Sequence, residues 1–108
     1  MGFQVLKFET KLQADGAQTF DLKEQNKFTR HQLQIEVSEQ PSAGTMAVAV
    51  KSPGAGVYSL LDSTVDLTAL TATNGKIIDI DVFAESIKIT PSSLDAAKTY
   101  NAYLISKE

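Results

Sequence analysis

His31 is the only histidine in the chain, so a histidine-dependent triad or metal cluster would have to find its other members among other residue types. It stands beside Arg30 at the head of an alternating segment and shares parity with Leu33 and Ile35. A partly buried or capping strand-end histidine accounts for that placement, and His31 is not nominated for chemistry. Asp79 and Asp81 are two apart, a spacing that in a strand projects both from one face, and Asp62 and Asp66 lie in the preceding arm. Paired carboxylates can hold calcium or carry acid/base work in glycoside hydrolysis. Calcium loops draw their carboxylates from a glycine-bearing segment at set spacings that do not occur here, and a solvated acidic row is the simpler reading.

Serines and threonines are plentiful, yet there is no G-x-S-x-G elbow, and the stretch SPGAGVYS lacks the Lys-Ser/Thr and the following helix of a phosphate loop. The absence of cysteine excludes disulfides, thiolate chemistry and a cysteine zinc site. No catalytic residue, metal ligand or cofactor is therefore expected, and the chain reads as a protein that is not an enzyme. A sugar-binding face uses exposed aromatic platforms. With no tryptophan, such a face would fall to Tyr58, Tyr100 or Tyr103, while most rings, Phe3, Phe8, Phe20, Phe28 and Phe83 among them, are expected in the core.

The elements that would position these residues are strands. Period-two alternation with turn residues every eight to twelve positions predicts an all-β chain, an antiparallel β-sandwich of jelly-roll or immunoglobulin-like type with about eight or nine strands and little helix. Residues 3–8 read as a first strand, and Ala14-Asp15-Gly16-Ala17 as a turn leading to a second at 18–22, a pair that can form a hairpin. Residues 31–37 alternate cleanly, with Leu33, Ile35 and Val37 on one face. In 45–51, Met46, Val48 and Val50 share a face and only alanines oppose them. Ser52-Pro53-Gly54-Ala55-Gly56 is a flexible hairpin tip or edge crossover. Short strands are expected at 57–61 and 65–67. Asn74-Gly75 is the strongest hairpin signal, with 76–82 as the returning strand. Residues 86–90, ended by Pro91, and 100–106 complete the set, with one helical turn or bend between them.

A length of 108 residues suits one sandwich-sized domain over 1–108, and a hydrophobic fraction of 43% excludes a wholly disordered chain. Ten basic against thirteen acidic residues, with a single arginine, leave no basic stripe for phosphates, so no nucleic-acid partner is expected. The longest apolar run, Met46 to Val50, is far short of the roughly 20 residues a membrane-spanning helix needs. No secretory signal is visible at the N-terminus. Phe3, Val5, Leu6 and Phe8 put apolar groups on both faces of the terminal strand, which is wasteful at a wet edge. Either that strand is central in its own sandwich or it meets a partner by strand addition.

From GTMAVAVKSPGAGVYSLLDSTVDLTA to SIKITPSSLDAAKTYNAYLISKE the chain resembles the small β-sandwich structural proteins of tailed bacteriophages. The likeness covers about the last two thirds and rests on feature order: a small-residue strand, a glycine-rich tip, a VDLTA segment, IKITPSSL and a final tyrosine-bearing strand. Capsid decoration or cement proteins are nearest in size, with neck, tail and head-fibre components as neighbours. The resemblance implies a non-enzymatic virion protein, assembled in the host cytoplasm. It would be a homo-oligomer whose partners are the major capsid protein or other virion proteins. It transfers a class and no residue roles. On that reading the protein-interface candidates are Phe3, Val5 and Phe8, with residues 1–8 as an intersubunit strand or arm, and the loop Ser52, Pro53, Gly54, Ala55 and Gly56. The alternative is a ligand-binding β-sandwich such as a carbohydrate-binding domain.

Overall fold

A computed structural model describes residues 3–22, 30–61, 64–81 and 84–107. Phe28, Asp62, Val82 and Phe83 lie outside the described residues. The described residues form nine strands: β1 (Phe3–Lys11), β2 (Gln18–Asp21), β3 (Arg30–Val37), β4 (Thr45–Lys51), β5 (Ser59–Leu60), β6 (Val65–Asp66), β7 (Lys76–Ile80), β8 (Ser86–Ser92) and β9 (Tyr100–Lys107). They form two antiparallel sheets, sheet A in the order β1-β9-β3-β7 and sheet B in the order β2-β8-β4-β5, with β6 also pairing β4. This is the expected β-sandwich.

The register reveals one long hairpin rolled on itself. Phe3 faces Lys107, Gln18 faces Ile89, Gln34 faces Ile77, Thr45 faces Asp66 and Ala49 faces Leu60. Partners are nearly mirror-related about the Ser52–Gly56 loop, which is the tip of the whole hairpin. Rolling it brings β9 against β3 and β8 against β4. The result is the jelly-roll order, with β5 and β6 as two halves of one interrupted strand.

The inward rows follow the alternation in the sequence, because successive side chains leave a strand on opposite faces. Leu33, Ile35 and Val37 of β3, Met46, Val48 and Val50 of β4, Ile87 and Ile89 of β8, and Tyr100, Ala102 and Leu104 of β9 are all buried. Each large apolar side chain so buried contributes about 1.5–3 kcal/mol. The Phe8 and Phe20 rings, centroids 4.8 Å apart, set β1 over β2.

Two expected hairpins are corrected. β1 and β2 do not pair: β1 joins β9 in sheet A and β2 joins β8 in sheet B. Near its end β1 carries one extra residue against β9, between Phe8 and Lys11, with Thr10 at φ 55°. Such a bulge twists and bends the strand. The Asp15 carboxylate accepts the Leu12 N–H at 2.7 Å, a 3₁₀ turn spans Gln13–Asp15, and Gly16 at φ 72° completes the step to the other sheet. The turn residues were legible, but they make a corner between sheets. Likewise Asn74-Gly75 does not join β6 to β7. Thr71 and Asn74 exchange backbone hydrogen bonds in a small turn, and β7 then leaves sheet B's edge to pair with β3.

Candidate functional site

Of the interface candidates, the N-terminal residues stand on an edge strand. No described strand pairs with the outer side of β1. Its side chains alternate: Leu6 and Phe8 pack against the core, while Val5 and Lys7 point outward, Val5 with 42% of its surface exposed. Ser52, Pro53, Gly54 and Gly56 are exposed and Ala55 is half-buried. The Ala55 N–H donates to the Ser52 carbonyl at 2.9 Å, and Gly54 takes φ 83°. The start of β1 and this loop share one end of the sandwich. They sit at its opposite sides, because β1 lies over β2 whereas the loop joins β4 to β5 at the far edge of sheet B. The structure therefore does not bring them into one patch.

The other edge of sheet A is β7, and the sequence reading missed it. Ile77 is 56% exposed on the outer face, and Leu60 and Val57, near the edge of sheet B, are more exposed still. Between these edges lies a hollow of about 270 Å³ lined by Val48, Leu61, Val65, Leu70 and Ile78, with Asp66 and Lys76 among its polar residues. It sets β7 over β4 and β6. In Lys76-Ile77-Ile78-Asp79-Ile80 adjacent isoleucines fall on opposite faces, and the sequence by itself does not show that the outward one, Ile77, lies on an edge strand.

The polar candidates resolve into structural roles. His31 Nδ1 lies 2.7 Å from Ser106 Oγ, and burial holds the imidazole below its ordinary pKa. Ser106 is 1% exposed, so its hydroxyl is closed to a substrate. Asp79 accepts from Gln32 Nε2 at 3.4 Å and, with Asp81, Arg30, His31 and Lys107, lines a mixed-charge hollow of about 310 Å³. Opposite charges around one hollow offset one another and build no strong field for either sign of ligand. Among the described residues no three His, Cys, Asp or Glu side chains are grouped to hold a metal. Asp66 caps the 3₁₀ turn Leu67–Ala69: its Oδ1 accepts from Thr68 N at 3.0 Å and Thr68 Oγ1 at 2.6 Å, which holds the carboxyl below the usual range.

The tyrosines separate by position. Tyr100 is buried and presents no platform. Tyr58 lies on the outer side of sheet B, its hydroxyl 2.6 Å from Ser86 Oγ and its ring 4.5 Å beneath Lys88 Nζ. Ala49, on the outward alanine face of β4, is buried although it points away from the core, and it lies opposite Lys88 and Leu60. Only Tyr103 stands on the outer face of sheet A, level with Lys7 and Gln34. Among the described residues no helix is long and apolar enough to cross a membrane.

Fold and surface together define a small jelly-roll sandwich with open sheet edges. No protein-family model matches the chain, and no curated protein matches it. Among solved structures it is similar to the SPBc2 prophage-derived protein YomS, with a TM-score of 0.58 and 12% identity over 98% of this chain and 96% of that one. It is also similar to the mitogen from Yersinia pseudotuberculosis, with a TM-score of 0.50 and 10% identity over 99% of this chain and 86% of that one. A carbohydrate-binding module specific for non-crystalline cellulose aligns at a TM-score of 0.43 and 9% identity, over 95% and 71% of the two chains, too distant to bear on function. At such identities the likenesses establish the fold and nothing finer.

Proposed function

We propose that this chain is a non-enzymatic structural protein of a tailed-phage particle, a decoration, cement or neck component that binds other virion proteins and copies of itself. The observation that carries the reading is the pair of edges on sheet A, β1 and β7, that no described strand covers and that bear outward Val5 and Ile77. Unpaired edges with exposed apolar side chains are templates for another chain. The hollows, by contrast, gather either apolar side chains or charges of both signs. The reading is further supported by the match to a prophage-derived chain along nearly the full length of both. To test it, particles from cells producing a tagged copy are banded in a density gradient. The chain is expected in the particle band at a fixed ratio to the shell protein and to be lost from it when residues 1–8 are deleted. Particles free of the chain would refute the reading.

A second reading, ligand binding, has one observation in its favour: Tyr103 stands on an open sheet face between Lys7 and Gln34. A glycan array decides it, since sugar binding abolished by Tyr103→Ala would replace the structural reading.

A further inference from the structure

We infer that the two edges of sheet A are complementary, so that β7 of one copy accepts β1 of the next and continues the sheet from molecule to molecule; the inference rests on the reading of a self-assembling structural protein. The first ground is topological. Sheet A has four strands, each antiparallel to its neighbour. Its two edges therefore run in opposite directions. A second copy placed in the same orientation brings its β1 antiparallel to β7, with inner faces continuous with inner faces.

The second ground is the choice of register. With Asp79 opposite Lys7 of the second copy, a carboxylate meets an ammonium on the outer face. The same register sets Ile78 opposite Phe8 and Ile80 opposite Leu6 on the inner face, at the cost of one mismatch on the outer face, where Ile77 meets Glu9. All four of these apolar side chains already belong to or pack against the core of their own sandwich, so the apolar layer would run on without a break. Asp79 is exposed, and Lys7 is 59% exposed and, among the described residues, pairs only with the neighbouring Glu9, at 3.2 Å. Directly opposed opposite charges and apolar pairs are the units that stabilise a sheet.

The alternatives fit worse. Two β1 strands centred on Phe8 pair Lys7 with Glu9, but their ladder meets the bulge at Thr10 twice, once in each strand, whereas β7 reaches it only at its first residue, Lys76. Centred on Leu6, they set Val5 against Lys7. Two β7 strands centred on Asp79 oppose two carboxylates, and centred on Ile78 they set Asp79 against Ile77 twice with no ion pair to offset it. Length agrees with this preference, since β1 and β7, at nine and five residues, are the longest of the edge strands, against four for β2 and two each for β5 and β6. A head-to-tail contact closes into a ring or repeats along a surface. The matched ladder is only a few residues long, so each contact is weak by itself and is multiplied by closure or by a lattice.

The absence of native cysteine makes the test clean. β9 and β3 separate β1 from β7 within one molecule, a distance of about 14 Å at the usual strand spacing, which no disulfide spans. Mild oxidation of a Lys7→Cys, Asp79→Cys double variant should give a ladder of dimers, trimers and higher species. A mixture of the two single variants should stop at dimers, and a Val5→Cys, Asp79→Cys double variant should cross-link at least fivefold less. In a second arm, light scattering follows charge exchange. Lys7→Asp and Asp79→Lys should each reduce the mass to that of the monomer, and the two together should restore it. Single-cysteine variants that cross-link as well as the double variant would overturn the inference, as would a wild-type chain that stays monomeric with no ladder from the double variant. Neither arm uses phage particles. A chain that bands with particles yet fails here would leave the virion reading standing without this contact.

Discussion

Tyr100 places its ring in the core with 1% of its surface exposed, and its hydroxyl has no hydrogen-bond partner among the described residues. Burial, with a smaller contribution from the Asp15 charge, pushes its pKa up to about 12. A buried hydroxyl without a partner forfeits about 1–3 kcal/mol of hydration. Tyr100→Phe should therefore leave stability unchanged or raise it by about 1 kcal/mol, measured by urea unfolding; a clear loss would reveal a partner. His31 provides a pH test. Burial lowers its folded-state pKa below the ordinary 6.5, so between the two values the unfolded chain binds more protons. The contribution is complete above pH 6.5 and is lost as pH falls towards the folded value. The urea midpoint should drop from pH 7.5 to 5.5, and His31→Gln should flatten that drop. Arg30, Asp79, Asp81 and Lys107 line the same hollow. The strand-end histidine was legible from its parity with Leu33 and Ile35. Its serine partner was not, because Ser106 is 75 positions away.

At the scale of elements, glycines and amides decide where the chain turns. Gly75 reads as half of a hairpin turn, yet a Cβ there would lie 2.5 Å from the Ile35 carbonyl oxygen. The glycine is needed for close approach to β3. Backbone cannot yield as a flexible side chain can, so Gly75→Ala should cost about 1–3 kcal/mol, seen as a lower urea midpoint with unchanged slope. Gln13 ties two corners together: its Nε2 donates to the Pro91 carbonyl at 2.9 Å and its Oε1 accepts the Leu94 N–H at 3.0 Å. Gln13→Ala removes both bonds and should cost about 1–3 kcal/mol by the same measurement. The turn at 14–17 was legible from its residue types. Its use as a corner was not, because the bulge at Thr10 depends on pairing with a strand ninety residues later.

For the whole molecule, mirror-related pairing makes most contacts distant in sequence. Closing long loops before contacts form slows folding. Refolding from urea should run on the millisecond-to-second scale expected of sandwiches, and stopped-flow fluorescence of the tyrosines checks this. A microsecond phase carrying the full amplitude would contradict the rolled-hairpin topology.

What the sequence determined by itself is what each strand does with its own side chains. Inward and outward rows follow from the backbone's two-residue period, which needs no knowledge of a neighbour, and so the rows of β3, β4, β8 and β9 were readable in advance. The tertiary structure alone decided which strands are neighbours, and with that the meaning of the N-terminal segment. Apolar residues on both faces of β1 fit a central strand or an edge strand that meets a partner. Only the rolling of the long hairpin, which puts β9 between β1 and β3, left β1 with a side that no described strand pairs. Strand pairing is a non-local choice set by the packing of all the inward rows at once, so no window of the sequence contains it.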